Sequence, residues 1–159
     1  MTTLTKPLMD LTAEDLMSRD MVTLPRKMSL RAAAHLLNQT HISGAPVVDE
    51  QGRCVGMLTS TDLMAWVDKG ERAAKRLFNT AACICTDWQV SDLSVLPVDE
   101  VSRHMTKDLV TATLATPVTD LARSMIDAHI HRVLITDKQG RPLGVVTSTD
   151  ILAAVAYAN

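Results

Sequence analysis

Two copies of one heptapeptide hold the residue types with most scope for chemistry. Gly56-Met57-Leu58-Thr59-Ser60-Thr61-Asp62 returns as Gly144-Val145-Val146-Thr147-Ser148-Thr149-Asp150. An apolar run ending in Thr-x-x-Asp reads as a strand passing straight into a helix. Thr59-Ser60 and Thr147-Ser148 then stand at helix starts, where unpaired backbone N–H groups and the positive end of the helix dipole favour an anion. Asp62 and Asp150, three residues past each Thr, can accept hydrogen bonds from a diol such as a ribose. The same spacing is also a capping box, which stabilises a helix start by about 1 kcal/mol with no ligand present. From the sequence, both readings stay open.

The neighbouring strand entries differ between the copies. Ser43-Gly44-Ala45-Pro46-Val47 offers small residues and a proline, room for a flat base against an aliphatic surface. His131-Arg132-Val133-Leu134-Ile135, at the matching place, offers a guanidinium fork suited to a pair of phosphate oxygens. Two unequal clefts are expected, with the Thr147–Asp150 copy better suited to phosphate. His129 and His131 alternate, but no third ligand completes a metal set, and Cys83-Ile84-Cys85 lacks a second pair for zinc, so no metal site is expected. Neither a nucleophile with a paired base nor a poised carboxylate pair occurs at a motif position, so no catalytic residue is assigned.

These residues must be positioned by a unit written twice. Residues 14–66 laid over 102–154 match at 17 of 53 positions without a gap, pairing Met17 with Met105, His41-Ile42 with His129-Ile130, and Gln51-Gly52-Arg53 with Gln139-Gly140-Arg141. Each copy reads helix, strand, helix, strand, strand, helix. Thr12 to Asp15 opens a short capped helix through Met17, and a strand is expected at Met21 to Leu24. Ser29 caps a helix with Leu30, Ala33, Ala34 and Leu37 on one stripe. A hairpin follows, Ala45–Val48 and Cys54–Leu58 about the Asp49–Gly52 turn, and then a helix from Ser60 that continues past Gly70 into Arg72–Phe78. The second copy predicts a helix to Met105, a strand Leu109–Ala112, a helix from Pro117 capped by Thr116, a hairpin Val133–Thr136 with Leu143–Thr147, and a last helix from Ser148.

Bulk properties exclude several classes. At 159 residues the chain makes one domain or two small units sharing a core, and 47% hydrophobic content with 3% aromatic describes a core of aliphatic residues. Net charge is −2 with 16 basic and 18 acidic residues, so no basic face serves nucleic acid, and one Phe, one Tyr and two Trp leave few platforms for stacking bases. No apolar run approaches the roughly 20 residues that span a bilayer. Three cysteines without an apolar leader lead to the expectation of free thiols in the cytoplasm.

Gly-apolar-apolar-Thr-x-x-Asp closing a strand-strand-helix unit, in tandem, resembles the cystathionine-beta-synthase (CBS) domain family. Each copy is preceded by Asp-x-Gln-Gly-Arg and by a Met-Ser or Met-Thr pair before a strand, and nearly the whole chain is covered. The resemblance implies an α/β (α+β) fold of two CBS units, packed through their sheets with pseudo-twofold symmetry and two clefts, as a stand-alone tandem module. Boundaries are expected at 1–68, 69–97 for the connection, and 98–159. It further implies ligand-binding roles for Thr59 with Asp62 and Thr147 with Asp150, and approach of Thr23 and Thr111 to a base. The ligand implied contains adenosine: AMP, ADP, ATP, S-adenosylmethionine or NAD, with no catalytic cofactor. The leading expectation is a regulatory module, homodimeric through faces at Leu63, Trp66, Val67 and Ile151, Ala154, Val155, signalling to a separate effector protein. The alternative is a ligand-free oligomerisation or interaction scaffold whose Thr-x-x-Asp motifs only cap helices.

Overall fold

The structure, a computed structural model, describes residues 6–69 and 96–157, the side chains of 64 and 66–69 excepted. In chain order the elements are α1 (Ala13–Leu16), β1 (Leu24–Pro25), α2 (Leu30–Gln39), β2 (Gly44–Val48), β3 (Cys54–Thr59), α3 (Ser60–Lys69), β4 (Thr111–Ala112), α4 (Val118–Asp127), β5 (Arg132–Thr136), β6 (Pro142–Thr147) and α5 (Ser148–Tyr157). Short 3₁₀ turns lie at Leu8–Asp10 and Val101–Arg103. The expected extension into Arg72–Phe78, and Cys83, Cys85 and Trp88, lie outside the described residues, as do the Trp66 and Val67 side chains.

Two compact units form: Val22–Lys107, and Met1–Met21 together with Asp108–Asn159. The leading segment of each repeat packs with the hairpin of the other. Ser18 exchanges backbone bonds with Val145 (2.9 and 3.1 Å), and Thr106 does so with Met57 (2.9 Å each way). This explains the repeated Met-Ser or Met-Thr and the repeated glycine: Met17 and Met105 lie over Gly144 and Gly56, where a Cβ would collide with them.

In the Val22–Lys107 unit, β1-β2-β3 form a sheet with β1 parallel and β3 antiparallel to β2. Ser29 Oγ accepts the Ala32 N–H at 3.1 Å, and α2 buries the expected stripe Leu30, Ala33, Ala34 and Leu37 against Leu24, Val47 and Leu58. The other unit repeats the plan with β4-β5-β6, where Val118, Leu121 and Met125 of α4 are buried. Both hairpins turn on a carboxylate: Asp49 Oδ1 accepts Gln51 and Arg53 N–H, Asp137 Oδ1 accepts Gln139 and Arg141 N–H, and Gly52 and Gly140 take φ of +77° and +80°.

Four expectations need correction. The strand placed at Met21–Leu24 is only Leu24–Pro25, since Pro25 has no N–H and the chain turns at once into the Ser29 cap; its counterpart shortens to Thr111–Ala112. The helix leading to Met105 is a 3₁₀ turn, because Glu100 makes no side-chain cap and Arg103 stands where Asp15 completes the box of α1. Thr116 does not cap α4; its hydroxyl accepts Thr113 N–H, and Pro117 occupies the cap. Finally, Leu63 and Ala154 are buried and Ile151 packs within its own unit, so those residues cover their own core; Leu152, Val155 and Tyr157 are the large apolar residues that α5 leaves exposed.

The repeated His-Ile has a structural cause. His41 and His129 take φ of 54° and 52° just past α2 and α4. In each case a Schellman pair closes the helix, Ile42 N–H to Leu37 O (3.1 Å) and Ile130 N–H to Met125 O (3.0 Å), with the isoleucine packed on the core. The left-handed backbone costs a histidine roughly 1–2 kcal/mol, and glycine recovers this less about 0.4–1 of added chain entropy. His129→Gly and His41→Gly are therefore each expected to raise stability by about 0.5–1 kcal/mol, read as a higher urea midpoint; a lower midpoint would refute the strain assignment.

Candidate functional site

Each Thr-x-x-Asp motif sits where a strand runs into a helix without an intervening loop, β3 into α3 and β6 into α5. Asp62 Oδ2 accepts Thr59 N–H at 2.7 Å and Thr59 Oγ1–H at 2.8 Å; Asp150 Oδ2 accepts the same pair from Thr147, both at 2.7 Å. The threonine hydroxyls in turn accept Asp62 N–H (3.4 Å) and Asp150 N–H (3.3 Å). Both motifs are thus complete capping boxes.

That arrangement overturns the electrostatic argument for an anion on Thr59-Ser60 and Thr147-Ser148. The Thr N–H groups are held by the aspartates, and Ser60 N–H and Ser148 N–H donate to the carbonyls of Ser43 and His131, both at 2.9 Å. A carboxylate already fills the helix start, so the dipole favours it rather than a phosphate. What remains open to a ligand is the outer carboxylate oxygen, and here the copies diverge. Thr106 Oγ1 donates to Asp62 Oδ1 at 2.7 Å. Ser18 holds the matching place in the other unit, and among the described residues no hydroxyl reaches Asp150 Oδ1.

The surrounding expected residues are distributed as follows. Gly44 lies across from Thr59 in the β2–β3 ladder, and Arg132 lies across from Thr147 in β5–β6, so the glycine and the arginine are the two copies' answers to one position. Arg132 is half-buried, and burial lowers its guanidinium pKa from the usual value. Ser43 and His131 are exposed, Ala45, Pro46, Val133 and Leu134 are buried in their sheets, and two threonines are exposed at the strand starts, Thr23 just before β1 and Thr111 as the first residue of β4. His131 and Ser148 are brought together with Met125, Ile126, His129 and Ile130 around an open cavity of about 400 Å³. Its lining surface is mainly apolar, and its size suits a small planar group.

Thr106 was not among the residues expected at the site. Its signal was the Met-Thr pair repeating Met-Ser, whose meaning emerges only once the segment is seen crossing to the other repeat's hairpin. Elsewhere, the Cys54 thiol is pushed up by burial, and its Sγ–H points to Gly56 O at 3.2 Å. Among the described residues no three His, Cys, Asp or Glu converge on a common point, and no helix is long and apolar enough to cross a membrane.

Comparison with known proteins agrees with this architecture. The CBS domain family profile matches residues 13–69 and 98–157. A CBS domain-containing protein of Dictyostelium discoideum is 28% identical over 144 residues, covering 91% of this chain and 90% of that protein. Homoserine O-acetyltransferase of Methanohalobium evestigatum is 27% identical over 137 residues, 86% of this chain but 22% of that enzyme, so the chain spans about a fifth of that relative. Among solved structures, a CBS domain pair in complex with 5′-methylthioadenosine and S-adenosyl-L-methionine superposes with a TM-score of 0.69 at 25% identity, covering 92% of this chain and 96% of that one. Another, of CBSX2 in complex with AMP, superposes with a TM-score of 0.68 at 21% identity, covering 91% of this chain and 96% of that one. With two profile matches, the repeated sheet and the paired Thr–Asp boxes, the chain belongs to the CBS domain family as a tandem CBS pair.

Proposed function

We propose that this CBS pair is a regulatory module that binds an adenosine-containing ligand and passes its presence on as a change of conformation or assembly. The observation that carries this reading is the Thr147–Asp150 arrangement: a carboxylate locked by its own cap through Oδ2 keeps its second oxygen, Oδ1, for a diol, and a mainly apolar cavity reaches Ser148 two residues before it. Support comes from the similar CBS pair that holds 5′-methylthioadenosine and S-adenosyl-L-methionine. Those two ligands share an adenosine and differ in what is attached to it. Thr59, Ser60 and Asp62, with Ser43, Gly44, Ala45 and Pro46, would form the first site; Thr147, Ser148 and Asp150, with His131, Arg132, Val133 and Leu134, the second. Thr23 and Thr111 would meet the base. Because the N–H groups of Thr59, Ser60, Thr147 and Ser148 are taken, a phosphate would draw chiefly on side chains, Arg132 first. AMP, ADP, ATP, S-adenosylmethionine and NAD all remain ligands of this class. We take 1–68 and 98–159 as the two domains, joined by 69–97, and a cytoplasmic homodimer acting on a separate effector protein as the working form.

A ligand-free scaffold has one observation in its favour, the completeness of both caps without a ligand. Thermal shift against an adenosine panel separates the two readings. A ligand at ~100 times its Kd should add about 2.7 kcal/mol to stability. No shift with any member, in protein freed of copurified nucleotide, would leave the scaffold standing.

A further inference from the structure

We propose that Thr106 makes the two halves unequal by occupying the acceptor that a ligand diol needs on Asp62, so that the Asp150 site fills first. This deepens the adenosine-ligand reading and rests on it.

Counting acceptor positions carries the inference. A carboxylate offers about four lone-pair sites, two on each oxygen. Oδ2 of each aspartate is filled by the N–H and O–H of its own capping threonine. Among the described residues nothing donates to Asp150 Oδ1, which therefore has two sites to offer, matching the two O–H donors of a vicinal diol. Asp62 Oδ1 has already accepted Thr106 at 2.7 Å, which leaves one. A diol arriving at Asp62 must forgo one charge-assisted bond or displace the threonine hydroxyl. Either costs about tenfold or more in affinity, the worth of a hydrogen bond to a charged group.

Geometry keeps Thr106 in place. Its backbone is paired with Met57 in both directions, the preceding Met105 lies against Gly56, and Met105 N–H is held by Val101 O at 3.0 Å. The hydroxyl is thus presented to Asp62 by a fixed strand bridge. In the other unit the same bridge, Ser18 with Val145, presents a serine whose hydroxyl does not reach Asp150 among the described residues. A single methyl separates the two residue types, and a β-branched residue has fewer χ1 choices on an extended backbone than serine.

The test isolates each half with full-length protein and titrates AMP and S-adenosylmethionine as probes by calorimetry. Asp62→Ala leaves only the second site and is expected to bind with near wild-type affinity. Asp150→Ala leaves only the first and is expected to bind about tenfold or more weakly. Adding Thr106→Val to Asp150→Ala should recover about tenfold, and Thr106→Ser in that background, which gives the first half the serine of the second, should recover affinity in the same direction. A merely structural role for Thr106 would make both substitutions weaken binding together. Thermal midpoints of all variants identify any that fail to fold, and Ser18→Thr in the Asp62→Ala background gives the mirror measurement, an expected loss of affinity. If wild type binds but Thr106→Val leaves the first site unchanged, the Thr106 inference is overturned while the ligand reading survives. Absence of binding to wild type by every adenosine probe overturns both.

Discussion

Gly144→Ala is expected to destabilise its unit by about 3 kcal/mol, at the upper end of the cost of overpacking a filled site, while Gly56→Ala costs about 1. The two glycines occupy the same place in the repeat, and the difference comes from what a methyl would strike. At Gly144 the nearest atom is the Ser18 carbonyl oxygen, 2.7 Å away, with Met17 Sδ at 2.8 Å. That carbonyl accepts Val145 N–H, so relief requires opening the backbone bridge that ties the leading segment to β6. At Gly56 the worst collisions are with the Met105 thioether, and the backbone oxygen of Thr106 stands off at 3.0 Å. Methionine has three rotatable bonds and adapts. The expected signature is rescue: Met105→Ala should restore most of the stability lost in Gly56→Ala, whereas Met17→Ala should restore little of that lost in Gly144→Ala. Urea denaturation of the four variants reads this as an interaction energy. Equal rescue in both halves would show that side chains alone set the need for glycine.

The contrast also shows what a linear reading of the chain reaches. Local signals were legible where one residue's chemistry decides the outcome: Ser29 as a cap, the stripe at Leu30, Ala33, Ala34 and Leu37, the Asp49 and Asp137 turns, and both Thr–Asp boxes appear where periodicity and capping rules put them. Failures cluster where the partner is distant in sequence. Met21–Leu24 has strand composition, yet ladder length depends on how far β2 runs beside it and on Pro25. Periodicity made Ile151 and Ala154 candidates for a partner surface, but only the fold reveals Leu11 and Val118 already covering them. Thr106 escaped notice for the same reason, lying 44 residues from Asp62. The helix-start N–H groups misled differently: the motif was identified, but its own aspartate and a neighbouring carbonyl had claimed the donors assigned to an anion.

Those claimed donors make Asp150→Asn the most informative single substitution at the site. Asparagine keeps one carbonyl oxygen, enough to accept Thr147 N–H and Oγ1–H as Asp150 Oδ2 does now, while its amide turns two donors outward where the carboxylate offered an acceptor. Without ligand, the variant should lose only about 0.5–1 kcal/mol, chiefly the favourable charge at the start of α5. Asp150→Ala, which leaves Thr147 N–H and its hydroxyl without their acceptor, should lose about 1–2 kcal/mol. With an adenosine ligand at ~100 times the wild-type Kd, wild type gains about 2.7 kcal/mol and neither variant should gain appreciably from this site. The gap between wild type and Asp150→Ala then widens to about 4 kcal/mol, and the Asn variant divides it into a capping part and a ligand part. Chemical denaturation with and without AMP or S-adenosylmethionine measures both. If Asp150→Asn retains the full ligand-dependent gain, the outward oxygen does not hold the diol, and the motif in this half is a helix cap alone.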